Sequence, residues 1–323
     1  MNWTMRRVIP GLCIMMFAFS CLAQNYPSRP IKLYVPMAPG GANDIFARII
    51  GQKLSERLGQ PVVIDNRPGA GITIGTGIAA KSPPDGYNML IVNSIMLSAS
   101  PALYKGLSYD PVEDFVPVGT LAIAPYVLVV AENFPAKTFK EFMALMKANP
   151  GKFNYSSSGV GSTPHLIAEL FKRETGIKVT HVPYKGGGPS VVGLLAGDVA
   201  FTFESIATVV SHIKSGKMRL LAVTSGKRMA MFPDAPTVAE SGVAGFDVTA
   251  LYGLVAPKGT PNDLVQRLSK ELVVALQAPE VKELFLQQGA ETVTLPPEDL
   301  AAKIKSEVAN WSRVIKEADI KSE

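Results

Sequence analysis

The sequence is poor in cysteine, and this excludes several kinds of site. Only two cysteines, Cys13 and Cys21, occur among 323 residues, and both lie within the first 23. If that segment is removed after export, no thiol remains. Cysteine nucleophiles, zinc–thiolate sites and iron–sulfur clusters are then excluded. A chain of this length also needs no disulfide to stabilise its core.

Long apolar runs and strong net charge are missing as well. Beyond the N-terminal segment no apolar stretch reaches the roughly 18 residues that a membrane-spanning helix requires. The 47% hydrophobic content is too high for a disordered chain. Without the first 23 residues, 30 Lys and Arg face 27 Asp and Glu, a net charge of +3. This charge is too small and too evenly spread to predict a nucleic-acid partner.

The first 23 residues have the pattern of a secretory signal. Arg6 and Arg7 precede an apolar stretch over residues 8–20, and small residues follow at Cys21 and Ala23. We predict a cleaved signal peptide over residues 1–23 and export to the bacterial periplasm. Three alternatives stay open: a permanent anchor, a twin-arginine signal, and lipidation at Cys21.

The remaining chain alternates between strand and helix patterns, which predicts an α/β fold. Ile31, Leu33 and Val35 alternate in a first strand, and the apolar residues of 45–58 share one face of a helix that ends at Gly59. The pattern restarts near Asn154 with a second α/β unit. Such alternation is typical of parallel sheets with crossover helices.

Capping residues and prolines predict several helix boundaries. Thr138 with Glu141 forms a capping box, and Pro164, Pro261 and Pro279 are predicted to open further helices. Further strands are predicted over residues 62–64, 89–92, 126–130, 179–182, 199–203, 220–223 and 248–255.

The last 60 residues are mainly helical and lack a sheet of their own. We expect them to pack back onto the first α/β unit, so that the chain leaves one lobe, builds another and returns. This predicts a lobe of residues 24–124 and 246–323, a second lobe of residues 125–245, and a cleft between them.

Two glycine-rich turns lead from a strand into a helix, one in each unit. The first covers residues 35–44 and the second residues 157–163. Ligands of open α/β sheets bind beyond such strand ends, where helix N-termini present free N–H groups and glycine lets an anion approach. These turns could clamp a carboxylate, although α/β proteins also use glycine there for purely structural reasons. Asn93 follows the predicted strand 89–92 at a comparable strand end.

Enzyme signatures are not found. No phosphate-binding glycine motif, nucleophile elbow or metal-ligand spacing occurs, so we predict no cofactor and no metal. His165, in the first turn of a helix, could donate to an anion or cap the helix. Glu204 could accept from a ligand hydroxyl or amine, or orient a loop. Asp44 complements a helix N-terminus.

Several segments together resemble one known family, the Bug-type substrate-binding receptors of tripartite tricarboxylate transporters. The resemblance covers the chain beyond residue 23, in order. It implies a two-lobed, type II-like Venus-flytrap fold in which one loop per lobe grips ligand carboxylates through backbone N–H groups and ordered water. The segments that carry it are Tyr34–Gly41 with Asp44, Asn66–Gly71, Pro84–Tyr87, Tyr184–Gly187, Leu221–Ser225 and Pro236–Glu240.

Carried onto this sequence, the two gripping loops are Met37–Asp44 and Gly159–His165. Three positions depart from the family pattern. Met37 stands where phenylalanine is frequent, Tyr252 where tryptophan is common, and Glu204 with Ser205 where an Asp-Asn pair is frequent.

The predicted function is therefore a monomeric periplasmic receptor, not an enzyme, that captures a small organic carboxylate for the permease subunits of such a transporter. A secreted hydrolase and a ligand-presenting sensor component remain alternatives. The ligand class stays open among citrate-like acids, dicarboxylates, acidic amino acids, aromatic acids and nicotinate-like compounds. The predicted ligand-binding residues are Met37, Pro39, Gly40, Gly41, Asn43, Asp44, Asn93, Ser158, Gly161, Ser162, Thr163, His165, Tyr184 and Glu204.

Overall fold

The computed structural model describes residues 26–317 and 319–321. The predicted signal peptide lies outside this range. The strands are β1 Ile31–Val35, β2 Val62–Asn66, β3 Asn88–Asn93, β4 Phe115–Ala131, β5 Asn154–Ser157, β6 Thr180–Pro183, β7 Phe201–Ser205, β8 Met218–Val223, β9 Thr249–Pro257 and β10 Glu291–Thr292. The α-helices are α1 Ala42–Leu58, α2 Thr73–Ala80, α3 Ser94–Leu103, α4 Phe139–Ala148, α5 Thr163–Thr175, α6 Gly187–Ala196, α7 Ile206–Lys214, α8 Asn262–Gln277, α9 Pro279–Gln287 and α10 Pro297–Glu317.

Local signals set several of these boundaries as predicted. The Thr138 hydroxyl accepts from the Glu141 N–H at 3.2 Å, which caps α4. Helix α1 ends at Gly59, whose left-handed backbone (φ 69°) lets its N–H return to a carbonyl of the last turn. Helix α9 begins at Pro279, where the missing N–H costs no helical hydrogen bond.

The strands form one continuous mixed sheet in the order β2-β1-β3-β9-β4-β7-β5-β6, with β8 and β10 also paired to β4. Strand β1 is parallel to β2 and β3, and β5 is parallel to β6 and β7. Strands β4 and β9 are antiparallel to their neighbours. The predicted parallel pairing is found within each unit, whereas the long strands β4 and β9 in the centre of the sheet are antiparallel to their neighbours, because they carry the chain between the two units.

Strand β4 enters both lobes of the molecule. Its residues 115–125 pair with β9, whereas residues 126–131 pair with β7 and β8. The first lobe thus contains β1, β2, β3, β9 and β10, and the second lobe contains β5 to β8. The chain returns near Val248, whose carbonyl lies 2.6 Å from the Thr224 hydroxyl, and the same hydroxyl lies 3.0 Å from the Tyr126 carbonyl. These hydrogen bonds hold the two chain segments that join the lobes side by side.

The C-terminal helices pack onto elements of the first lobe. Phe46 of α1 stacks on Phe285 of α9 at 5.0 Å between ring centroids and meets Tyr252 of β9 edge-on at 4.9 Å. In α10, Leu300 is fully buried, and the Ile304 carbonyl accepts from a hydroxyl of α3 at 2.9 Å. Over residues 26–317 and 319–321, no helix has the length and apolar character needed to cross a membrane.

Candidate functional site

Two neighbouring cavities lie between the lobes. The outer cavity has a volume of about 330 Å³ and the inner cavity about 20 Å³. Met37 of the first lobe and Ser158 of the second lobe line both of them. The inner cavity is lined by Met37, Gly41, Ala42, Asn43, Met96, Tyr126, Ser158, Pro164, Gly187, Glu204, Ser205 and Tyr252.

The turn from β1 to α1 forms one wall of the inner cavity. Gly40 has a left-handed backbone (φ 86°), and its N–H donates to the Asp44 carboxylate at 3.0 Å. Arg48 donates to the same carboxylate twice, both at 3.0 Å, and Asn66 donates once at 3.0 Å. Burial alone would raise the pKa of Asp44, but these donors outweigh it and lower the pKa. Asp44 and Gly40 therefore fix the turn, and Gly41 faces the cavity.

Glycines from both lobes meet beside this turn. A Cβ added to Gly41 would lie 3.6 Å from the Gly187 nitrogen, and one added to Gly188 would lie 2.9 Å from the Pro39 carbonyl oxygen. A Cβ at Gly188 would force the two backbones apart, whereas one at Gly41 would make an ordinary van der Waals contact. The structure therefore shows the lobes in direct contact, a closed arrangement.

The turn from β5 to α5 forms the opposite wall. Ser158 lines the inner cavity, whereas Ser162, the N-cap of α5, has a buried hydroxyl with no hydrogen-bond partner in the described chain. The next hydroxyl, of Thr163, donates to the Asn93 Oδ1 across the lobes at 3.3 Å. The second turn thus both lines the cavity and ties the lobes together.

His165 is turned into its own loop. Its Nδ1 accepts from the Gly161 N–H at 3.1 Å, and its ring stacks on His181 at 4.1 Å between centroids. Burial lowers the pKa of His165 to about 4, with a smaller effect from Lys172. Burial lowers the pKa of His181 to about 3, with a smaller effect from His165. Both imidazoles are therefore neutral at pH 7 and support the loop from behind.

Asn93 and two tyrosines form the floor of the site. The Asn93 side chain caps α3, since its Oδ1 accepts from the Ile95 and Met96 N–H groups at 3.1 and 3.2 Å. Its Nδ2 donates to the Tyr126 hydroxyl at 3.0 Å, which lies 3.3 Å from the Tyr252 hydroxyl. Burial raises the pKa of both tyrosines, so they stay neutral donors beside the cavity.

Glu204 places a carboxyl group in the inner cavity. The residue is 3% exposed and lies at the end of β7. Its Oε1 accepts from the Ser205 N–H at 3.0 Å, and its Oε2 accepts from the Ser158 hydroxyl at 3.2 Å. Burial outweighs these two donors and raises the pKa of Glu204 to about 7.

Residues at the N-termini of five helices line the inner cavity. The helices are α1 and α3 of the first lobe and α5, α6 and α7 of the second. Helices α1, α5, α6 and α7 have no side-chain cap. Their N–H groups and positive dipole ends favour a negative charge at this point. The cavity is therefore suited to an anionic group.

The structure distributes the predicted site residues over three locations. Five of them line the inner cavity: Met37, Gly41, Asn43, Ser158 and Glu204. Tyr184 lines the outer cavity. The remaining predicted residues do not line the inner cavity; they lie in the two glycine turns or form hydrogen bonds with them. These are Pro39, Gly40, Asp44, Asn93, Gly161, Ser162, Thr163 and His165.

Sequence reasoning did not select several lining residues. Gly187 and Ser205 adjoin segments that it recognised, a glycine run and the end of the strand before α7, and could have been found there. Tyr252 was noted only as a departure from the family pattern. Met96 and Tyr126 have no local signal, since only the strand order brings them to the cavity.

Comparison with known proteins agrees with this geometry. The profile of the "Tripartite tricarboxylate transporter family receptor" matches residues 46–320. Protein BugT of Bordetella pertussis is 38% identical, over 99% of this chain and 99% of its own length.

Two solved structures show the same fold with clear sequence similarity. The periplasmic binding protein BugD is 36% identical, with a TM-score of 0.89 over 92% of this chain and 100% of its own. R. palustris Rpa4515 with adipate is 35% identical, with a TM-score of 0.89 over 92% of this chain and 99% of its own. This chain therefore belongs to the receptor family of the tripartite tricarboxylate transporters, the solute-binding proteins that the sequence resembles.

Proposed function

We propose that this receptor captures a small organic carboxylate between its lobes in the periplasm and delivers it to the permease subunits of a tripartite tricarboxylate-type transporter. One observation carries the proposal: five helix N-termini from both lobes meet at one buried cavity. Free N–H groups and aligned dipoles stabilise a carboxylate there without a lysine or arginine. The adipate bound to the relative Rpa4515 is a ligand of this chemical class.

The proposed binding mode uses the predicted residues in two ways. Met37, Gly41, Asn43, Ser158 and Glu204 contact the ligand directly, together with Tyr126, Gly187, Ser205 and Tyr252. The remaining predicted residues position the two turns, and Tyr184 borders the entrance through the outer cavity.

Ligand capture is proposed to close a hinge between two lobes. One lobe consists of residues 24–124 and 246–323, and the other of residues 125–245. The partner exchange of β4 after Pro125 and the return near Thr224 give the two connections about which the lobes would turn. A ligand held by both lobes favours the closed state by its differential affinity for it. The receptor is proposed to act as a monomer.

The test is calorimetry of the mature protein with carboxylic acids and their methyl esters. Each acid that binds is expected to bind with one ligand per chain and to be recovered unchanged, whereas its ester does not bind, because the ester has lost the charge that the helix N-termini favour. Scattering is expected to show compaction on ligand addition. Equal affinity for acid and ester, or consumption of the acid, would contradict the proposal and favour a hydrolase.

A further inference from the structure

Glu204 is an unexpected group for a site that binds anions. It is the carboxyl among the residues that line the inner cavity, and no lysine or arginine lines that cavity within the described chain. Its contacts are two neutral donors, the Ser158 hydroxyl and the Ser205 N–H. A carboxylate offers about four lone-pair sites, so Glu204 retains acceptor capacity toward the cavity.

A buried carboxylate without a cationic partner is costly, and a second anion nearby increases the cost. The helix N-termini can compensate one negative charge at the cavity, but a carboxylate ligand beside ionised Glu204 brings two. Binding of such a ligand beside ionised Glu204 becomes favourable if the ligand also supplies a cationic donor, because a hydrogen bond between two charged groups is stronger than one between neutral groups. The Ser205 hydroxyl, buried without a hydrogen-bond partner in the described chain, adds a free polar group at the same end of the cavity.

We propose that the ligand is a small carboxylic acid that also carries an ammonium group, and that Glu204 binds this ammonium group and thereby selects the ligand class. The proposal rests on the proposed function and makes it more specific. The ligand carboxylate lies at the helix N-termini, and its ammonium group lies against the free acceptor sites of Glu204. The lobes then close less tightly than in this structure, since about 20 Å³ holds little more than one water molecule. Ligand and Glu204 together then place one net negative charge at the helix N-termini.

The other titratable groups that face the inner cavity in the described chain are Tyr126 and Tyr252. Burial raises the pKa of both, so neither charges near neutral pH. Lys185 lines the outer cavity, and Asp44 on α1 is already paired with Arg48 at 3.0 Å. Glu204 is thus the group in the inner cavity that changes charge near pH 7, since burial raises its pKa to about 7.

The experiment compares acids that differ only in one substituent. Three matched sets are titrated into the mature protein: alanine, lactate and propionate; aspartate, malate and succinate; glutamate, 2-hydroxyglutarate and glutarate. In the set that fits the cavity, the ammonium-bearing acid is expected to bind at least about tenfold more tightly than the unsubstituted acid, the usual size of a buried charged hydrogen bond. In Glu204→Gln this preference is expected to fall below about threefold, while the unsubstituted acid still binds.

Glu307→Gln is the matched control. Glu307 is a second buried glutamate, 7% exposed, but it lies on α10 and pairs with Lys303 at 2.9 Å. This variant is expected to keep the preference of the unaltered protein.

A second measurement on the unaltered protein does not depend on how a variant folds. Titrations at pH 7 in two buffers of different ionisation enthalpy count the protons exchanged on binding. The ammonium-bearing acid is expected to release about half a proton as Glu204 ionises against it. The unsubstituted acid is expected to take up about half a proton.

The outcomes separate this inference from the proposed function. An unsubstituted or hydroxy acid that binds as tightly as the ammonium-bearing acid, or proton uptake with the ammonium-bearing acid, overturns the role of Glu204 and leaves carboxylate capture intact. The same holds if Glu204→Gln keeps the full preference. If no acid of the three sets binds, the ammonium-bearing ligand is overturned, whereas carboxylate capture is decided by the separate titrations with acids and their methyl esters.

Discussion

Replacing Glu204 with glutamine is expected to change how stability depends on pH in a calculable way. Burial raises the pKa of this carboxyl to about 7 in the folded protein, against an ordinary value near 4.5. Between these values the folded state binds a proton that the unfolded state does not. The unaltered protein therefore gains stability from this group as pH falls through 7 toward 4.5, and loses it as pH rises. Glutamine keeps the shape and cannot titrate.

The expected magnitude follows from the two pKa values. Between pH 8 and pH 5 the proton linkage contributes about 2.5 kcal/mol to the free energy of unfolding. The stability of the unaltered protein minus that of Glu204→Gln should therefore rise by about that amount over this range. All other titrating groups are common to both proteins and cancel in the difference.

The assay is urea unfolding of the ligand-free protein at pH 5, 6, 7 and 8, with Glu307→Gln as control. The control removes a buried carboxyl that is paired with Lys303 and does not line the cavity. A difference between the unaltered protein and Glu204→Gln that stays constant from pH 8 to pH 5 would refute the reasoning. It would mean that Glu204 is ionised in the empty site and that other donors compensate its charge.

Three further changes test the closed arrangement and its support. Burial lowers the pKa of His181 to about 3, so the stability that depends on its neutral form is present above pH 6.5 and is lost as pH falls. From pH 8 to pH 5, the free energy of unfolding of His181→Gln, measured in urea, should therefore fall by about 2 kcal/mol less than that of the unaltered protein. Gly188→Ala, whose Cβ would lie 2.9 Å from the Pro39 oxygen, should reduce ligand affinity more than it reduces thermal stability, and unchanged affinity in calorimetry would show that this contact opens freely. Tyr104→Phe removes the 2.7 Å hydrogen bond to the Val160 carbonyl across the lobes and should speed ligand dissociation about 2- to 10-fold in rapid-mixing kinetics. Slower association with unaltered dissociation would show that this hydrogen bond does not stabilise the closed state.

Local chemistry allowed much of the fold to be predicted from the sequence. The capping box at Thr138 and the proline at position 279 place helix starts where the structure has them, because both act on backbone groups within one turn. The turn at Gly40 and Gly41 was recognised from its glycines at a strand end, and in the structure Gly40 has the left-handed backbone that glycine favours. The last 60 residues are mainly helical, as their apolar periodicity predicted.

The long strand β4 could not be predicted in full. The sequence predicted a strand only over residues 126–130, whereas the strand begins at Phe115 and contains Pro117 and Pro125, residues that interrupt a strand pattern. Two register shifts against β9 accommodate this irregular half. The antiparallel direction of β4 and β9 depends on where the chain returns, which no short segment encodes.

The chemistry of the site was decided by the tertiary structure. From the sequence, His165 could have donated to an anion, and Glu204 could have oriented a loop. The fold turns the His165 ring onto His181 and its own loop, and it places Glu204 inside the cavity with Tyr126 and Tyr252. The sequence by itself determined the glycine turns and helix starts because they depend on neighbouring residues. The direction of each side chain and the pKa of each buried group depend on which strands pair across the lobes, and only the folded chain sets that pairing.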